Sequence, residues 1–340
     1  MTGATETSIP SPALFFDVAG RYQDTAVLTT SIELDVFTAI GEGNVTSAAL
    51  AERCKAAERG MRILCDALVI IGFLTKSENR YALTADSAMF LDRRSHAYLG
   101  TIPRFIASVT SRHAFALLTE AVRKGGTALP GEGAMEPENP IWVEFARAMA
   151  PMMHLPAEYI AALLDSKAGK PIRVLDIAAG HGVFGITVAR HNPNAEVTAS
   201  DWPSVLEVAK ENAQQAGVAN RYRLLPGSAF DVNFGTGFDV VLLTGFLHHF
   251  DMATCETLLR KVHSALVPQG RTVILDFVPN EDRVTPPATA RFSLTMLAMT
   301  GAGDAYTFSE YQRMLGNARF DSVSLHPAPQ TPLQIVVGVK

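Results

Sequence analysis

The chain has 340 residues, of which 48% are hydrophobic and 19% are charged, and this composition excludes a largely disordered protein. Its net charge of -5 excludes a general affinity for nucleic acid, because phosphate binding requires an excess of basic residues. Three widely separated cysteines, Cys54, Cys65 and Cys255, argue against a disulfide framework or a zinc cluster and indicate reduced thiols in a cytoplasmic protein.

The start of the chain and its longest apolar stretch carry no export or membrane signal. The segment MTGATETSIPSP has no basic stretch before an apolar one, so no signal peptide is expected. The stretch ILCDALVIIGFL is interrupted by Asp66 and is too short to span a bilayer. We therefore expect a soluble protein without a membrane partner.

Residues 14 to about 125 show mostly helical periodicity. One helix is predicted at TSAALAERC, with Thr46 and Ser47 as candidate caps, and a second at ERGMRILCDALVIIGFL, ending near Gly72. The segment FLTKSENRYALT predicts a β-hairpin around the polar turn 76–80. Helices followed by a hairpin are the outline of a winged helix.

A winged helix can bind DNA, but the charge of this region disfavours that function. Residues 41–94 contain eight basic and seven acidic side chains. A domain that reads DNA usually carries a strong basic stripe. The near balance favours a role in packing or dimerisation, with a ligand-sensing DNA-binding regulator as the alternative from another functional class.

A loop and a methionine-rich helix follow. Residues 126–140 are rich in Gly and Pro and predict a loop. The next helix, IWVEFARAMAPMMHL, carries Met149, Met152 and Met153. These methionines are either core filler or the wall of a pocket for a flat apolar ligand, and the sequence favours neither.

From residue 171 the pattern changes to alternating strands and helices, which predicts a parallel sheet covered on both faces. Thr307 and Glu310 form a candidate capping box for the last helix. Two strand-like runs then flank the turn APQTP, and without a helix between them they must pair antiparallel at the sheet edge.

The segment VLDIAAGHGVFGITVAR places Gly180, Gly182 and Gly185 between a strand and a helix, as in nucleotide-binding sites. Asp201 ends the next strand and is a candidate acceptor for both ribose hydroxyls. A dinucleotide and S-adenosylmethionine would both fit these features. Asp176 favours the second, because a carboxylate before the glycines attracts an amino group and repels a pyrophosphate. The closing hairpin and the preceding helical domain also favour it.

Several segments together resemble small-molecule O-methyltransferases of the plant caffeate and flavonoid type and their bacterial polyketide, phenazine and carotenoid relatives. These segments are VLDIAAGHG, SDWPSVLE, PGSAF and GFLHHFDMATCETLLRKV, and the resemblance covers nearly the whole chain. It implies an α/β class I methyltransferase fold: a Rossmann-like seven-stranded sheet behind a mostly helical winged-helix dimerisation domain.

The resemblance also implies a domain division and partners. It implies a winged-helix-like dimerisation domain at residues 1–110, linking helices that contribute to the substrate pocket at 111–170, and an S-adenosylmethionine-binding domain at 171–340. The expected partners are a second copy of the chain and a hydroxylated small-molecule acceptor.

The same resemblance implies a set of residues that bind S-adenosylmethionine. In it, Asp201 holds the ribose, Trp202 borders the adenine, and the segment 228–230 surrounds the adenine. Ser228 stands in place of an aspartate, Thr244 in place of a lysine, and Ala178 in place of a glycine. The full predicted set is Asp176, Ala178, Gly180, Gly182, Asp201, Trp202, Ser228, Ala229, Phe230 and Thr244.

For catalysis, the resemblance places His248 on a histidine base and Asp276 on the acid that orients it. A neutral phenol, with a pKa near 10, is a poor nucleophile, so a base poised near neutrality helps. His249 is expected to point away from His248 and to pack locally. Ala305 falls where the family often has a second glutamate, and Asp304 lies one position away.

Other interpretations of this segment remain open. Asp251 is expected to cap the following helix. A metal site formed by His248, His249 and Asp251 is an alternative without clear further ligands, so no metal is predicted. His248 as a purely structural histidine is a second alternative.

The predicted function is transfer of a methyl group to a hydroxyl of an aromatic or polyketide-like molecule. Methylation at carbon or nitrogen is the alternative on the same scaffold, and a dehydrogenase is less favoured. The apolar pocket walls are expected to come from two helices and comprise Trp142, Phe145, Met149, Met153, Phe292, Met296 and Met299.

Overall fold

The computed structural model describes residues 10–165 and 169–340, which divide into two compact units after Ala107. The first unit consists of helices and one hairpin: α1 (Ala13–Gly20), α2 (Tyr22–Glu33), α3 (Val36–Gly41), α4 (Ser47–Arg53), α5 (Glu58–Ile71), β1 (Leu74–Ser77), β2 (Arg80–Leu83), α6 (Ala85–Phe90) and α7 (Ile102–Ile106).

Local signals in the sequence set the boundaries of these elements. The side chain of Thr46 accepts a hydrogen bond from the backbone amide of Ala49 and caps α4. Gly72, at a φ of 98°, ends α5 in the left-handed conformation. Met61, Cys65 and Leu68 lie on one face of α5 and are buried in the core of the unit. The predicted hairpin is confirmed, and its two strands pair antiparallel.

The second unit contains the larger sheet. Its elements are α8 (Val109–Ala116), α9 (Leu118–Lys124), α10 (Ile141–Leu163), β3 (Ile172–Ile177), α11 (Val183–His191), β4 (Ala195–Asp201), α12 (Pro203–Gln215), β5 (Tyr222–Pro226), β6 (Phe238–Thr244), α13 (Met252–Ala265), β7 (Leu266–Asp276), α14 (Pro287–Ala290), α15 (Phe292–Met299), α16 (Phe308–Asn317), β8 (Ser322–Pro327) and β9 (Gln334–Val339).

The seven strands that the structure describes in this unit run in the order β5-β4-β3-β6-β7-β9-β8. Strands β3 to β7 are parallel, and β9 pairs antiparallel with both β7 and β8. The predicted parallel sheet with a closing antiparallel hairpin is therefore confirmed. Parallel strands bring their carboxyl ends to one edge of the sheet, and this edge carries the candidate site.

The segment predicted as a loop between α9 and α10 contains one short 3₁₀ turn, Gly133–Met135. The hydroxyl of Thr127 donates to the backbone oxygen of Ala298 at 2.8 Å, and its amide donates to that of Thr300 at 2.8 Å. These bonds fasten the loop to the carboxyl end of α15. No helix of the described residues is long and apolar enough to cross a membrane.

Candidate active site

The glycine-containing turn joins β3 to α11 at the carboxyl edge of the sheet. Gly182 begins the helix with a φ of 73°, and a Cβ there would lie 2.6 Å from the hydroxyl oxygen of Tyr222. A Cβ on Gly180 would meet only one backbone atom, at 3.9 Å, so there is open space beside this residue. The turn therefore packs closely against the sheet at Gly182 and leaves room for a ligand at Gly180.

Ala178 adopts the left-handed conformation, with a φ of 53°, where the family resemblance implies glycine. An L-residue with a side chain costs on the order of 1–2 kcal/mol in this conformation. Ala178 is partly exposed beside Gly180. The strained residue thus lies at the predicted cofactor site, where local strain is often retained for function.

The carboxylate of Asp201 faces this turn. One oxygen accepts from the amide of Gly180 at 2.8 Å, and the other accepts from the amide of Trp202 at 2.7 Å. Each carboxylate oxygen can accept two hydrogen bonds, so one position on each oxygen remains for a ligand such as a diol. Burial raises the pKa of Asp201 to about 6, although the two backbone amides oppose this rise.

Asp176 lies in β3, beside this turn, and its role towards the cofactor stays a prediction. Its side chain has no exposed surface in this structure. One carboxylate oxygen accepts from the amide of Gly185 at 3.1 Å, and the other has no partner among the described residues. Burial raises the pKa of Asp176 to about 7, and the nearby Asp201 raises it further. In this structure the predicted role of Asp176 towards an amino group would be exerted through its charge.

The other predicted cofactor residues lie at the ends of neighbouring strands. The amide of Gly227 donates to the backbone oxygen of Asp201 at 2.9 Å, which brings the 228–230 turn beside the ribose candidate. Ser228, Phe230 and Thr244 are partly exposed, and Ala229 is buried. Trp202 packs against the same apolar cluster as Trp142. The residues predicted for one ligand thus share one edge of the sheet.

His248 follows β6, and Asp276 is the last residue of β7. Their side chains are hydrogen-bonded to each other. The Nδ1 of His248 lies 2.6 Å from Oδ1 of Asp276, and both side chains are buried. Because a carboxylate only accepts, Nδ1–H donates and the Nε2 of His248 carries the lone pair. No hydrogen bond joins Nε2 to a residue that the structure describes. This is the arrangement of an oriented histidine base.

Two further donors complete the environment of Asp276. The amide of Phe277 donates to Oδ1 at 2.8 Å, and the hydroxyl of Tyr311 donates to Oδ2 at 2.9 Å. Sequence reasoning missed Tyr311, because in α16 it lies on the buried face with Met314 and Leu315. The helical pattern of apolar residues identifies Tyr311 only as a core residue, and no sequence signal shows where its hydroxyl points.

The expectation that His249 points away from His248 is wrong. Both residues lie in the 3₁₀ turn Leu247–His249, and their ring centroids are 4.2 Å apart. Nδ1–H of His249 donates to the backbone oxygen of Phe246 at 3.0 Å. Burial lowers the pKa of His249 well below its ordinary value, and the neighbouring His248 lowers it further. His249 is therefore a neutral imidazole beside the candidate base.

The alternative of a metal site at the two histidines is not supported. Asp251 instead caps α13, as predicted, by accepting from the amide of Thr254 at 2.8 Å. The Nδ1 atoms of His248 and His249 are used for Asp276 and a backbone oxygen. Among residues 10–165 and 169–340, no group of three acidic, histidine or cysteine side chains could hold a metal ion.

The acid next to Ala305 is engaged elsewhere. One carboxylate oxygen of Asp304 pairs with Arg283 at 3.0 Å, and the other accepts from the amide of Ala305 at 2.8 Å. Only the backbone amide of Asp304 contacts the candidate base, and it donates to the backbone oxygen of His248 at 2.9 Å. The side chain of Asp304 therefore does not replace the acid missing at Ala305.

Two of the three aromatic residues predicted for the substrate pocket contact His248 and His249, and the third contacts His181. The ring of Phe292 meets that of His248 edge-on at 4.8 Å, and Trp142 meets His249 edge-on at 5.1 Å. Phe145 stacks on His181 of the glycine-containing turn at 6.5 Å. The four predicted methionines on α10 and α15 are buried, and their place in a pocket stays a prediction: Met149, Met153, Met296 and Met299.

Two family models match most of the chain. A model of the O-methyltransferase domain matches residues 119–321, and one of the O-methyltransferase dimerisation domain matches residues 16–93. The chain belongs to the O-methyltransferase family. The predicted family, fold class and enzyme class, an S-adenosylmethionine-dependent O-methyltransferase, are confirmed.

Individual relatives align with nearly the whole length of the enzyme. A candidate O-methyltransferase from Nostoc punctiforme is 55% identical, with a TM-score of 0.95 over 98% of this chain and 100% of its own. The 3-hydroxy-5-methyl-1-naphthoate 3-O-methyltransferase of Streptomyces sahachiroi is 28% identical over 97% of this chain and 95% of its own. Human N-acetylserotonin methyltransferase, at 22% identity and a TM-score of 0.85 over 99% of both chains, shares the fold.

The substitution Asp176→Asn removes the charge of this side chain in the O-methyltransferase and keeps its size. The folded chain binds a proton at Asp176 more tightly than the unfolded chain does, because its pKa rises from 3.8 to about 7. The ionised group therefore costs stability above pH 7, and this cost disappears as the pH falls towards about 4. We expect Asp176→Asn to raise the free energy of unfolding of the ligand-free enzyme at pH 8, and the gain to shrink by pH 5.

Urea denaturation of both proteins at pH 8 and pH 5 measures this difference. Asp321→Asn is the matched control, because Asp321 is exposed and its substitution should change stability little at either pH. A destabilised Asp176→Asn protein at pH 8 would contradict the account, since it would show that the negative charge itself supports the turn.

Proposed function

We propose that the enzyme methylates a hydroxyl group on an aromatic, polyketide-like small molecule, with His248 as the general base. The observation that carries this proposal is the buried pair in which Asp276 holds Nδ1 of His248 at 2.6 Å, while no described residue forms a hydrogen bond with Nε2. The aromatic rings of Phe292 and Trp142 beside the two histidines favour a flat apolar acceptor.

The base has a defined task in this reaction. A neutral phenol attacks a methyl group poorly, and Nε2 of His248 is placed to remove its proton as the oxygen attacks. Asp276 keeps the proton on Nδ1 and therefore keeps the lone pair on Nε2. A base so positioned contributes on the order of 10²–10⁴ in rate.

The residues at the strand ends fit S-adenosylmethionine, which when bound supplies a methyl group already activated by a positively charged sulfur. The two unused acceptor positions of Asp201 match two ribose hydroxyls. The open space at Gly180 admits the ligand, and the charge of Asp176 beneath the turn attracts its amino group. Trp202 and the 228–230 turn would border the adenine, with Thr244 at the end of β6.

The curated relatives support the acceptor class. Besides the naphthoate enzyme, the tetracenomycin 8-O-methyltransferase of Streptomyces glaucescens is 27% identical over 98% of both chains. The names of both enzymes describe methylation at oxygen. We therefore propose a fused-ring phenol as the acceptor, with α10 of the linking helices, residues 111–170, forming part of its pocket.

Incubation with methyl-labelled S-adenosylmethionine and a panel of phenols, naphthols and hydroxylated polyketides tests the function. The panel includes the matching methyl ethers, in which the hydroxyl is already blocked. We expect label on oxygen in a fused-ring phenol and none in its blocked ether. Label on carbon or nitrogen, found equally with the blocked ether, would replace this proposal with the alternative methylation.

We also propose a homodimer formed through the first unit. Leu14, Phe15 and Phe16 in α1 are 71%, 69% and 67% exposed, which is unusual for adjacent large apolar side chains. The dimerisation domain model matches residues 16–93, which include Phe16 but neither Leu14 nor Phe15, and it supports a dimer formed through this unit. The expectation that the enzyme binds no nucleic acid stays a prediction.

Analytical ultracentrifugation tests the dimer. We expect a species of about twice the chain mass of 36.6 kDa, and the double variant Phe15→Ser, Phe16→Ser should shift it towards the monomer. Val122→Ser, which removes an apolar side chain 61% exposed in the second unit, is the control and should stay dimeric. A monomeric wild-type enzyme at micromolar concentration would contradict the proposal.

A further inference from the structure

We propose that Tyr311 is a positioning residue that acts on the base through Asp276. Its hydroxyl donates to Oδ2 of Asp276 at 2.9 Å, while Oδ1 of the same carboxylate faces Nδ1 of His248. Tyr311, Asp276 and His248 thus form one chain of hydrogen bonds from the core to the active site. The inference deepens the proposed function, since it concerns how His248 is held for proton removal.

The carboxylate of Asp276 depends on this hydroxyl for its orientation. Oδ1 has two donors, His248 and the amide of Phe277, whereas Tyr311 is the one donor that the described residues offer to Oδ2. Asp276 has no exposed surface, so water at the protein surface does not replace a lost donor. A buried carboxylate oxygen without a donor is costly, and the group would turn to share its remaining donors.

The local structure fixes Tyr311 in place. It is the fourth residue of α16, whose start is held by the capping box of Thr307 and Glu310. Glu310 also pairs with Arg283 at 2.6 Å. The ring of Tyr311 is fully buried and meets that of Tyr306 edge-on at 6.1 Å. A side chain constrained in this way presents its hydroxyl at a defined position.

Tyr311 remains a donor over the whole working range of pH. Burial raises the pKa of its hydroxyl well above the ordinary value, and the charge of Asp276 raises it further. Asp276 is the one acid that the described residues place against His248, because position 305 is a fully buried alanine and the carboxylate of Asp304 pairs with Arg283. The orientation of the base therefore depends on a single carboxylate and the hydroxyl behind it.

Removing the hydroxyl of Tyr311 should shift the pH dependence of catalysis in a predictable direction. A donor on Oδ2 stabilises the charged carboxylate, so without it the joined pair of His248 and Asp276 holds an additional proton more tightly. Catalysis requires the pair without that proton. The acidic limb of the pH profile of kcat/KM should therefore move to higher pH in Tyr311→Phe, which keeps the ring and removes only the hydroxyl.

The experiment compares Tyr311→Phe with Tyr306→Phe under identical conditions. Tyr306 is the matched control, because its buried hydroxyl donates to the backbone oxygen of Phe250 and not to the pair. We expect Tyr311→Phe to lower kcat ~10-fold with little change in the KM for the methyl donor, and to move the acidic limb upwards by roughly half a pH unit. Tyr306→Phe should lower the melting temperature by a similar amount and leave the limb in place.

A second measurement does not need the acceptor. Histidine labelled with ¹³C at Cε1 gives one NMR signal per histidine, and the His248→Gln variant identifies that of His248. Its titration midpoint should rise in Tyr311→Phe and stay unchanged in Tyr306→Phe. If this shift appears while the labelled panel yields no O-methylated product, the proposed function fails and the role of Tyr311 stands.

Two outcomes would overturn the inference. In the first, Tyr311→Phe loses thermal stability but keeps the wild-type kcat, acidic limb and His248 titration, so the hydrogen bond is only structural. In the second, Tyr306→Phe moves the limb and the titration as far as Tyr311→Phe does, so general loosening of the core is responsible.

Discussion

We expect His248→Gln to lower kcat by about 10²–10⁴-fold, because it removes the group proposed to take the proton from the acceptor hydroxyl. Glutamine is close in size, and its amide can still meet the carboxylate of Asp276. Affinity for S-adenosylhomocysteine should change little, since the residues proposed to hold it lie at the ends of β3 to β6. Initial rates with labelled donor and calorimetric titration with S-adenosylhomocysteine measure the two quantities separately.

His263→Gln is the control for this substitution. His263 lies in α13 and packs edge-on against Phe320 at 5.3 Å, away from the pair, so its variant should keep wild-type kcat. A His248→Gln enzyme with unchanged kcat would remove the histidine from the mechanism. A variant that also loses S-adenosylhomocysteine binding would show that the residue shapes the cofactor site instead.

The second large effect is expected for Asp201→Ala, which should weaken donor binding by about 10²-fold or more. The substitution removes the acceptor of two proposed ribose hydrogen bonds, and bonds to a charged group are among the stronger ones. It also releases the amides of Gly180 and Trp202, which the carboxylate holds at 2.8 and 2.7 Å. Calorimetric titration with S-adenosylhomocysteine measures the loss.

The same carboxylate gives donor binding a pH dependence. Because the pKa of Asp201 is raised to about 6, the group gains a proton as the pH falls through that value and can then accept fewer hydrogen bonds. Affinity of the wild-type enzyme should fall between pH 7 and pH 5, and Asp201→Asn should show a flatter profile. A dissociation constant that Asp201→Ala leaves unaltered would contradict the ribose assignment.

The sequence predicted those parts of the fold that depend on local patterns. Apolar runs between helices predict β3, β6 and β7 because these strands are covered on both faces. The spacing from the glycine turn to Asp201 predicts that the two lie close together, because adjacent parallel strands place their ends together, and the amide of Gly180 does donate to Asp201. The capping residues Thr307 and Asp251 are equally local and are confirmed.

Other features depend on tertiary geometry that no pattern contains. The burial of Asp176 results from the close packing of α11 at Gly185, where a Cβ would lie 2.9 Å from the carboxylate. The short 3₁₀ turn brings the ring of His249 against that of His248, although adjacent residues in a loop usually diverge. Tyr311 reaches Asp276 across 35 residues of sequence, and only the packed core defines that contact.

The most direct test of the central claim is a crystal of the enzyme grown with S-adenosylhomocysteine. We predict density for the ligand along the carboxyl ends of β3 to β6, with both ribose hydroxyls on the carboxylate of Asp201 and the sulfur directed towards Nε2 of His248. Ligand density elsewhere on the chain, with the space beside Gly180 filled by protein side chains, would contradict the account.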